Sequence, residues 1–315
     1  MDSSVEVIEQ EVGANPLDGV FRQLDEVILG KPRQLRLALA CLLARGHLLI
    51  EDVPGLGKTV LAHALGQTLG LEYRRVQFTS DLLPGDIIGT SIYDRDSGRF
   101  HFNAGPVFTQ LLLADEVNRA TPKSQSALLE AMEERQVSVE GTTRRLPEPF
   151  FVIATQNPCE QLGTFPLPES QLDRFLLRIE MGYPTREAEF ELFRGEERRR
   201  MLERLQPAIT PEALSTLQRQ VDEVHAADAA LEYLYRILDY TRHARIFHNG
   251  LSTRAGLGLL RAARAWALVH GETRLLPGDI QAVLPAVAGH RLQPLEGQLS
   301  PAQIGERIIQ AVAVE

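Results

Sequence analysis

Cysteine is nearly absent from this chain. Only Cys41 and Cys159 occur in 315 residues, and two isolated cysteines read as small apolar fillers rather than a bridge. The eight histidines show no HxxxH spacing and no CxxC occurs, so a structural metal site is not expected. Long apolar runs are missing too. Stretches such as Leu37–Leu43 and Leu111–Ala114 fall far short of the ~20 residues that span a bilayer. Residues Met1–Asn15 are acidic and polar, without the basic start and apolar stretch of a secretion signal. The expectation is a cytoplasmic, soluble chain with a disordered acidic tail over 1–15 and no membrane insertion. Positive charge is also in short supply. A net charge of −9 argues against a surface that grips nucleic acid all round. Repeats and low-complexity segments are absent.

What is present is an ordinary globular composition, 44% hydrophobic and 24% charged, in a chain long enough for one large or two medium domains. The front two-thirds alternates short apolar runs with helical patterns, the signature of a parallel sheet with crossover helices. Five runs read as buried strands: His47–Glu51, Tyr73–Phe78, Leu111–Asp115, Phe150–Thr155 and Phe175–Ile179. Helices are expected at Pro32–Ala44, Lys58–Leu69 and Lys123–Glu134. Turn clusters at Asp96-Ser97-Gly98 and Gly141-Thr142-Thr143 predict two hairpins, about 88–104 and 135–148, that project from the sheet. Beyond Tyr183-Pro184 only helical patterns remain, at Glu187–Leu205, Leu231–His243, Ser252–His270 and Pro277–Ala288. The fold class is therefore α/β, with a sheet domain over 16–182 and an all-α domain over 183–315.

The first strand runs into Asp52-Val53-Pro54-Gly55-Leu56-Gly57-Lys58-Thr59-Val60 and then a helix. Glycines let backbone amides curve around phosphate oxygens, and the helix N-terminus adds partial positive charge. Lys58 would reach the β- and γ-phosphates, and the Thr59 hydroxyl would bind Mg²⁺. Asp52 stands where GxxxxGK[ST] has its first glycine; an acid near a triphosphate costs electrostatic energy, but its carboxylate can point away from the nucleotide.

Leu111–Ala114 is an apolar strand that ends in Asp115-Glu116, 57 residues after Lys58. On a parallel sheet both acids emerge at the carboxyl edge, beside the phosphate loop. Asp115 would hold the Mg²⁺ shell through water, and Glu116 would orient or deprotonate the attacking water. A further strand ends in Gln156-Asn157-Pro158. Asn157 could bond the γ-phosphate or that water, or simply start an Asn-Pro turn.

Together these stretches resemble the AAA+ ATPases, specifically the MoxR family of the helix-2-insert class. Gly46–Thr59, Asp115–Ala120, Ala154–Pro158 and Leu172–Phe175 look like its Walker A, Walker B, sensor 1 and arginine-finger regions, and Gly105–Phe108 and Ala127–Glu134 also fit. The resemblance implies a P-loop αβα sandwich with an all-α lid, and hydrolysis of ATP with Mg²⁺. It implies that Arg174 is the finger a neighbouring subunit inserts against the γ-phosphate, with Arg119 a rival for that role. By itself Arg174 is a strand-leading arginine suited to a surface salt bridge. Arg254, in Ser252-Thr253-Arg254-Ala255, would touch the γ-phosphate from under the lid. Ile28, in Val27-Ile28-Leu29-Gly30, would line the adenine pocket, with Lys31 in place of the usual glutamine. The implied assembly is a hexameric ring with the hairpins facing its pore. Implied partners are client proteins, including ones with von Willebrand factor A domains, and the implied role is remodelling, assembly or metal-cofactor insertion. A nucleic-acid motor is the alternative, resting on Arg144-Arg145 at a hairpin. A scaffold that binds nucleotide without turnover is a third class, which intact Lys58, Asp115 and Glu116 argue against.

Overall fold

The computed structural model describes residues 15–157, 164–195 and 198–314; the tail over 1–14 and Cys159 lie outside them. Helices α1 (Asp18–Val27) and α2 (Pro32–Leu43) lead into β1 (Leu48–Glu51), and α3 (Lys58–Thr68) crosses over to β2 (Tyr73–Gln77). A short α4 (Pro84–Ile88) and the hairpin β3 (Gly89–Asp94) and β4 (Arg99–Ala104) precede β5 (Leu111–Asp115). Then come α5 (Pro122–Glu134), the hairpin β6 (Gln136–Val139) and β7 (Thr142–Arg145), and β8 (Phe151–Gln156). After α6 (Glu169–Leu172) the last strand is β9 (Leu177–Ile179). The rest is helical: α7 (Arg186–Arg194), α8 (Arg198–Arg204), α9 (Pro211–Glu223), α10 (Asp228–His243), α11 (Thr253–Val269), α12 (Pro277–Ala288) and α13 (Pro301–Ala311).

The five long-range strands form one parallel sheet in the order β2-β5-β8-β1-β9. β5 and β8 are buried at every position, as continuous apolar runs in the middle of a parallel sheet must be. Edge strand β2 has no fully buried residue, which lets it carry Arg74, Arg75 and Gln77. Both hairpins stand apart as two-stranded sheets. Arg144 of β7 lies over the Phe102 ring of β4, 3.9 Å from its centroid, so this arginine ties the hairpins together. The described helices beyond the sheet do not form a separate core. Leu35 and Leu39 of α2, Leu48 and Ile50 of β1, and Leu259 and Val283 of α11 and α12 belong to one apolar cluster. Cys41 is a free thiol buried in that cluster, and burial pushes its pKa up.

Two helical expectations need correction. The stretch Glu187–Leu205 is not one helix: α7 stops at Arg194 because Gly195 takes an extended backbone, φ −83° and ψ 176°, and glycine resists helix propagation. Helices α1, α9 and α13 were not anticipated, although two of them carry start signals. The Thr210 hydroxyl accepts the Ala213 N–H at 3.2 Å ahead of Pro211. Ser300 and Gln303 form a reciprocal capping box.

His47 pins the start of this sheet. Its Nδ1 accepts the Val152 N–H at 3.0 Å, so Nε2 carries the proton and donates to the Met132 carbonyl at 3.2 Å. Burial pushes its pKa down to about 4, opposed in part by the Met132 carbonyl. The folded state therefore keeps His47 neutral, whereas the unfolded chain protonates it below about 6.5. Stability from this group is fully present above pH 6.5 and is lost as pH falls toward 4, by about 3 kcal/mol at ~1.4 kcal/mol per unit. Urea midpoints should drop between pH 7 and pH 4.5, and less steeply in His47→Asn, which starts from a lower value. Parallel slopes for the two proteins would remove His47 from the acid transition.

Candidate functional site

The phosphate loop owes its shape to two glycines. Gly55 and Gly57 have φ of +86° and +84°, and a Cβ built on either meets no atom within 4 Å. The positive φ requires glycine, and the open space beside the backbone is a concavity at the N-terminus of α3. Lys58 is buried at its rim. Its Nζ donates to the Asp52 carbonyl and to Asn157 Oδ1 at 3.1 Å. Burial lowers the Lys58 pKa, and the carboxylates of Asp52, Asp115, Glu116 and Glu51 pull it back up.

Asp52 does not face this concavity. Its carboxylate accepts the Val53 N–H at 2.8 Å and the Gly182 N–H at 2.6 Å. Lys31 donates to the next carbonyl, of Tyr183, at 2.6 Å. The two departures from the family pattern thus grip adjacent residues of the connection between β9 and α7. Beside them is a mostly apolar cleft of about 230 Å³, walled by Ile28, Val60, Met181 and Leu192 and continuous with Gly55–Gly57. Its apolar walls and its position next to the loop suit the base of a nucleotide.

The acid pair is held from three strands. Asp115 Oδ1 accepts the Thr155 hydroxyl at 2.6 Å, and the same hydroxyl oxygen accepts the Glu116 N–H at 2.9 Å. Glu116 sits at φ +56° and ψ 48°, a left-handed turn that is costly for a non-glycine residue. That turn lets consecutive carboxylates serve one site. Glu116 accepts from Asn157 Nδ2 at 3.1 Å, from Gln77 at 2.8 Å and from Arg119 at 3.0 Å. The Asn157 amide bridges Lys58 and Glu116, which fixes its orientation. Arg119, considered as a trans-acting group, is here paired with the chain's own Glu116.

Sequence reasoning missed Arg75 and Gln77. They lie two apart on β2, hence on one face, and each takes one acid: Arg75 reaches Asp115 Oδ2 at 2.7 and 3.1 Å. The signal was available as two long polar donors alternating on the strand next to β5. Thr155 was missed as well.

Thr59 and Asp115 bring oxygen donors together, the Thr59 hydroxyl 3.5 Å from Asp115 Oδ2. A hydroxyl and a carboxylate so placed fit magnesium, which takes one or two protein oxygens and completes its shell with phosphate and water.

The arginines lie elsewhere. Arg174 precedes β9 and is next to Gly46-His47, which precede β1, so it stands at the amino edge of the sheet. The phosphate loop is at the carboxyl edge, beyond a strand roughly 13 Å long. Arg254 was expected under the lid at the phosphates. It is instead on the amino edge, where Glu133 binds both: Arg174 at 2.9 Å and Arg254 at 3.0 Å. The reason is that α11 packs on α2 and brings its first turn over the start of β1, not over the end of it.

The comparisons agree with this architecture. The profile of the ATPase family associated with various cellular activities (AAA) matches residues 47–177, and the AAA lid domain matches 239–311. The uncharacterized protein YeaC of Bacillus subtilis is 46% identical over 88% of this chain and 87% of its own. Chaperone MoxR1 of Mycobacterium tuberculosis is 40% identical over 95% of this chain and 82% of its own. A solved structure from Cytophaga hutchinsonii, described as a candidate ATPase, superposes with a TM-score of 0.86 at 36% identity, covering 96% of this chain and 95% of that one.

Removing the Asp52 carboxylate tests its role. Asp52→Ala should weaken binding of a fluorescent ATP analogue about tenfold, because charge-assisted bonds to two amides are lost next to the base cleft. Tighter binding would mean that the carboxylate acts by repelling phosphate.

Proposed function

The chain belongs to the MoxR family of AAA+ ATPases, and on that premise we propose that it works as a hexameric ring whose ATP sites are each closed by a neighbour's arginines. One observation carries the reading: Arg174 and Arg254 converge at the amino edge of the sheet, away from their own phosphate loop, with only Glu133 between them. A positive pair so placed is useful to a second copy stacked head to tail.

Within one chain, the loop amides and Lys58 would hold the phosphates, and the cleft beside Ile28 would take the base. Thr59 and Asp115 would hold Mg²⁺, the latter through water. That ion supplies charge neutralisation at the β- and γ-phosphate oxygens. Glu116, oriented by Asn157 and Gln77, would accept a proton as water attacks the γ-phosphorus and ADP leaves. The neighbour's Arg174 would balance charge on the transferring phosphoryl group, and Arg254 would join it there after both exchange Glu133 for phosphate.

We assign the work of hydrolysis to remodelling or assembling client proteins. The name of the relative Chaperone MoxR1 supports this class, and the hairpin of β3 and β4 offers exposed Tyr93 and Phe100 to a client. Clients with von Willebrand factor A domains, and assembly or metal-cofactor insertion as the outcome, are the finer proposal that goes with the family. The cytoplasm is the proposed location; among the described residues no helix is long and apolar enough to cross a membrane. The nucleic-acid motor loses its main support, because Arg144 is committed to Phe102.

Arg174→Ala alone should lower kcat by roughly 10³–10⁵-fold, and Glu116→Gln should bind ATP without turnover. Mixed in equal amounts, the two variants leave about one interface in four with both halves intact, and ATPase activity should return. Hexamers that form from the mixture yet stay inactive would rule out a shared site.

A further inference from the structure

We propose that Arg291 is a positioning residue for the trans-acting arginines: from the helical lid, it fixes the backbone segment that carries Arg174. The inference rests on the reading above, in which Arg174 completes a neighbour's site.

Arg291 lies three residues past the end of α12, and its side chain is only 9% exposed. Its guanidinium makes contacts on both sides of Arg174. Nε donates to Asp173 Oδ1 at 2.7 Å, and one terminal nitrogen donates to the carbonyls of Asp173 at 3.1 Å and Phe175 at 2.7 Å. The other donates to the Leu176 carbonyl at 3.2 Å and to Val287 of its own helix. A neighbouring lid residue, His290, adds a bond from Nε2 to the Phe175 carbonyl at 3.0 Å. The backbone of residues 173–176 is therefore held from the lid at three carbonyls, those of Asp173, Phe175 and Leu176, and none of these bonds touches the Arg174 side chain.

That division is the substance of the inference. The Arg174 side chain is 28% exposed and, among the described residues, its guanidinium is held by Glu133 alone, which is itself 33% exposed. Such a pair exchanges readily for another anion. Arg291 cannot exchange, because every polar direction of its planar fork is already used inside the protein. A buried guanidinium is not the cheapest way to hold a helix end to a sheet, since well-packed apolar residues stabilise as well or better. Its particular capacity is to set the direction of several carbonyls at once. Arg254 starts from the same lid and meets the same Glu133, so one rigid unit aims both arginines. Lysine has three donors on a flexible stem and would hold fewer of these carbonyls.

The test uses full-length rings of Arg291→Lys, with Asp173→Asn as a milder variant of the same contact. Each should bind a fluorescent ATP analogue within about twofold of wild type, since the phosphate loop is at the opposite edge. Each should lose roughly 10–100-fold in kcat, with KM for ATP little changed. Mixing then locates the defect. With Glu116→Gln subunits, whose arginines are intact, activity should return; with Arg174→Ala subunits it should not. Return with Arg174→Ala alone, with both, or with neither would overturn the proposal, as would loss of nucleotide binding in both variants. The Arg174→Ala plus Glu116→Gln mixture serves as the control: if it stays inactive, the shared site itself falls and Arg291 with it.

Discussion

Direction in the parallel sheet is the constraint on which everything else depends. Five strands run the same way, so all their carboxyl ends, and the loops that follow them, meet at one edge. The phosphate loop, the acid pair and Asn157 are there because each follows a strand. Arg174 is at the other edge because it precedes one. No side chain bridges the length of β1, and no rotation of the lid reverses a strand. The proposed completion of the site from outside, by a head-to-tail neighbour, accords with the strand direction and with Arg174 preceding β9.

A chain arranged this way has to satisfy strong charges before its ligand and its neighbour arrive. It does so with stand-ins. Arg75 lies on Asp115, where a divalent cation would otherwise balance the carboxylate, and Arg119 lies on Glu116 beside the bonds from Gln77 and Asn157 that orient it. Glu133 occupies Arg174 and Arg254 as a phosphate would. The ion-pairing stand-ins are partly exposed: Arg75 is 47% accessible, Arg119 48% and Glu133 33%. Pairs of that kind are worth about 1 kcal/mol or less, so they are replaced at little cost. The Arg291 contacts are of the other sort, where removing one partner of a buried pair costs roughly 3–5 kcal/mol. Magnitude separates the groups that move from the group that holds.

Legibility in the sequence followed the same line. β1, β5 and β8 were readable to within a residue because apolar runs bounded by polar ones are local facts. The phosphate loop, Asp115, Glu116 and Asn157 were readable because each sits at the end of such a run. Arg75 and Thr155 were not, since the carboxylate they hold is 40 residues away along the chain. Arg291 acts on Asp173 across 118 residues, and no periodicity or spacing announces a contact at that range. Arg254 shows the limit most clearly. Its helix start was plain from Ser252, but which edge of the sheet that start would face is decided by α11 packing on α2, a tertiary fact. The missed α9 and α13 are a different failure, because their capping residues were on view.

The replaced first glycine gains a meaning from this geometry. Asp52 grips Gly182, three residues after β9 ends, while Arg291 grips the residues just before β9 begins. β9 is a three-residue edge strand, hydrogen-bonded only to β1 within the sheet. Its carboxyl end is thereby fastened to the phosphate loop, and its amino end adjoins Arg174, for which a role in a neighbour's site is proposed. A glycine at position 52 would shape the loop equally well but would leave the far end of that strand without its side-chain anchor. The acidic residue that looked like a defect in the motif is, in the folded chain, the fastening at one end of β9, the element that would join the two halves of the proposed shared site.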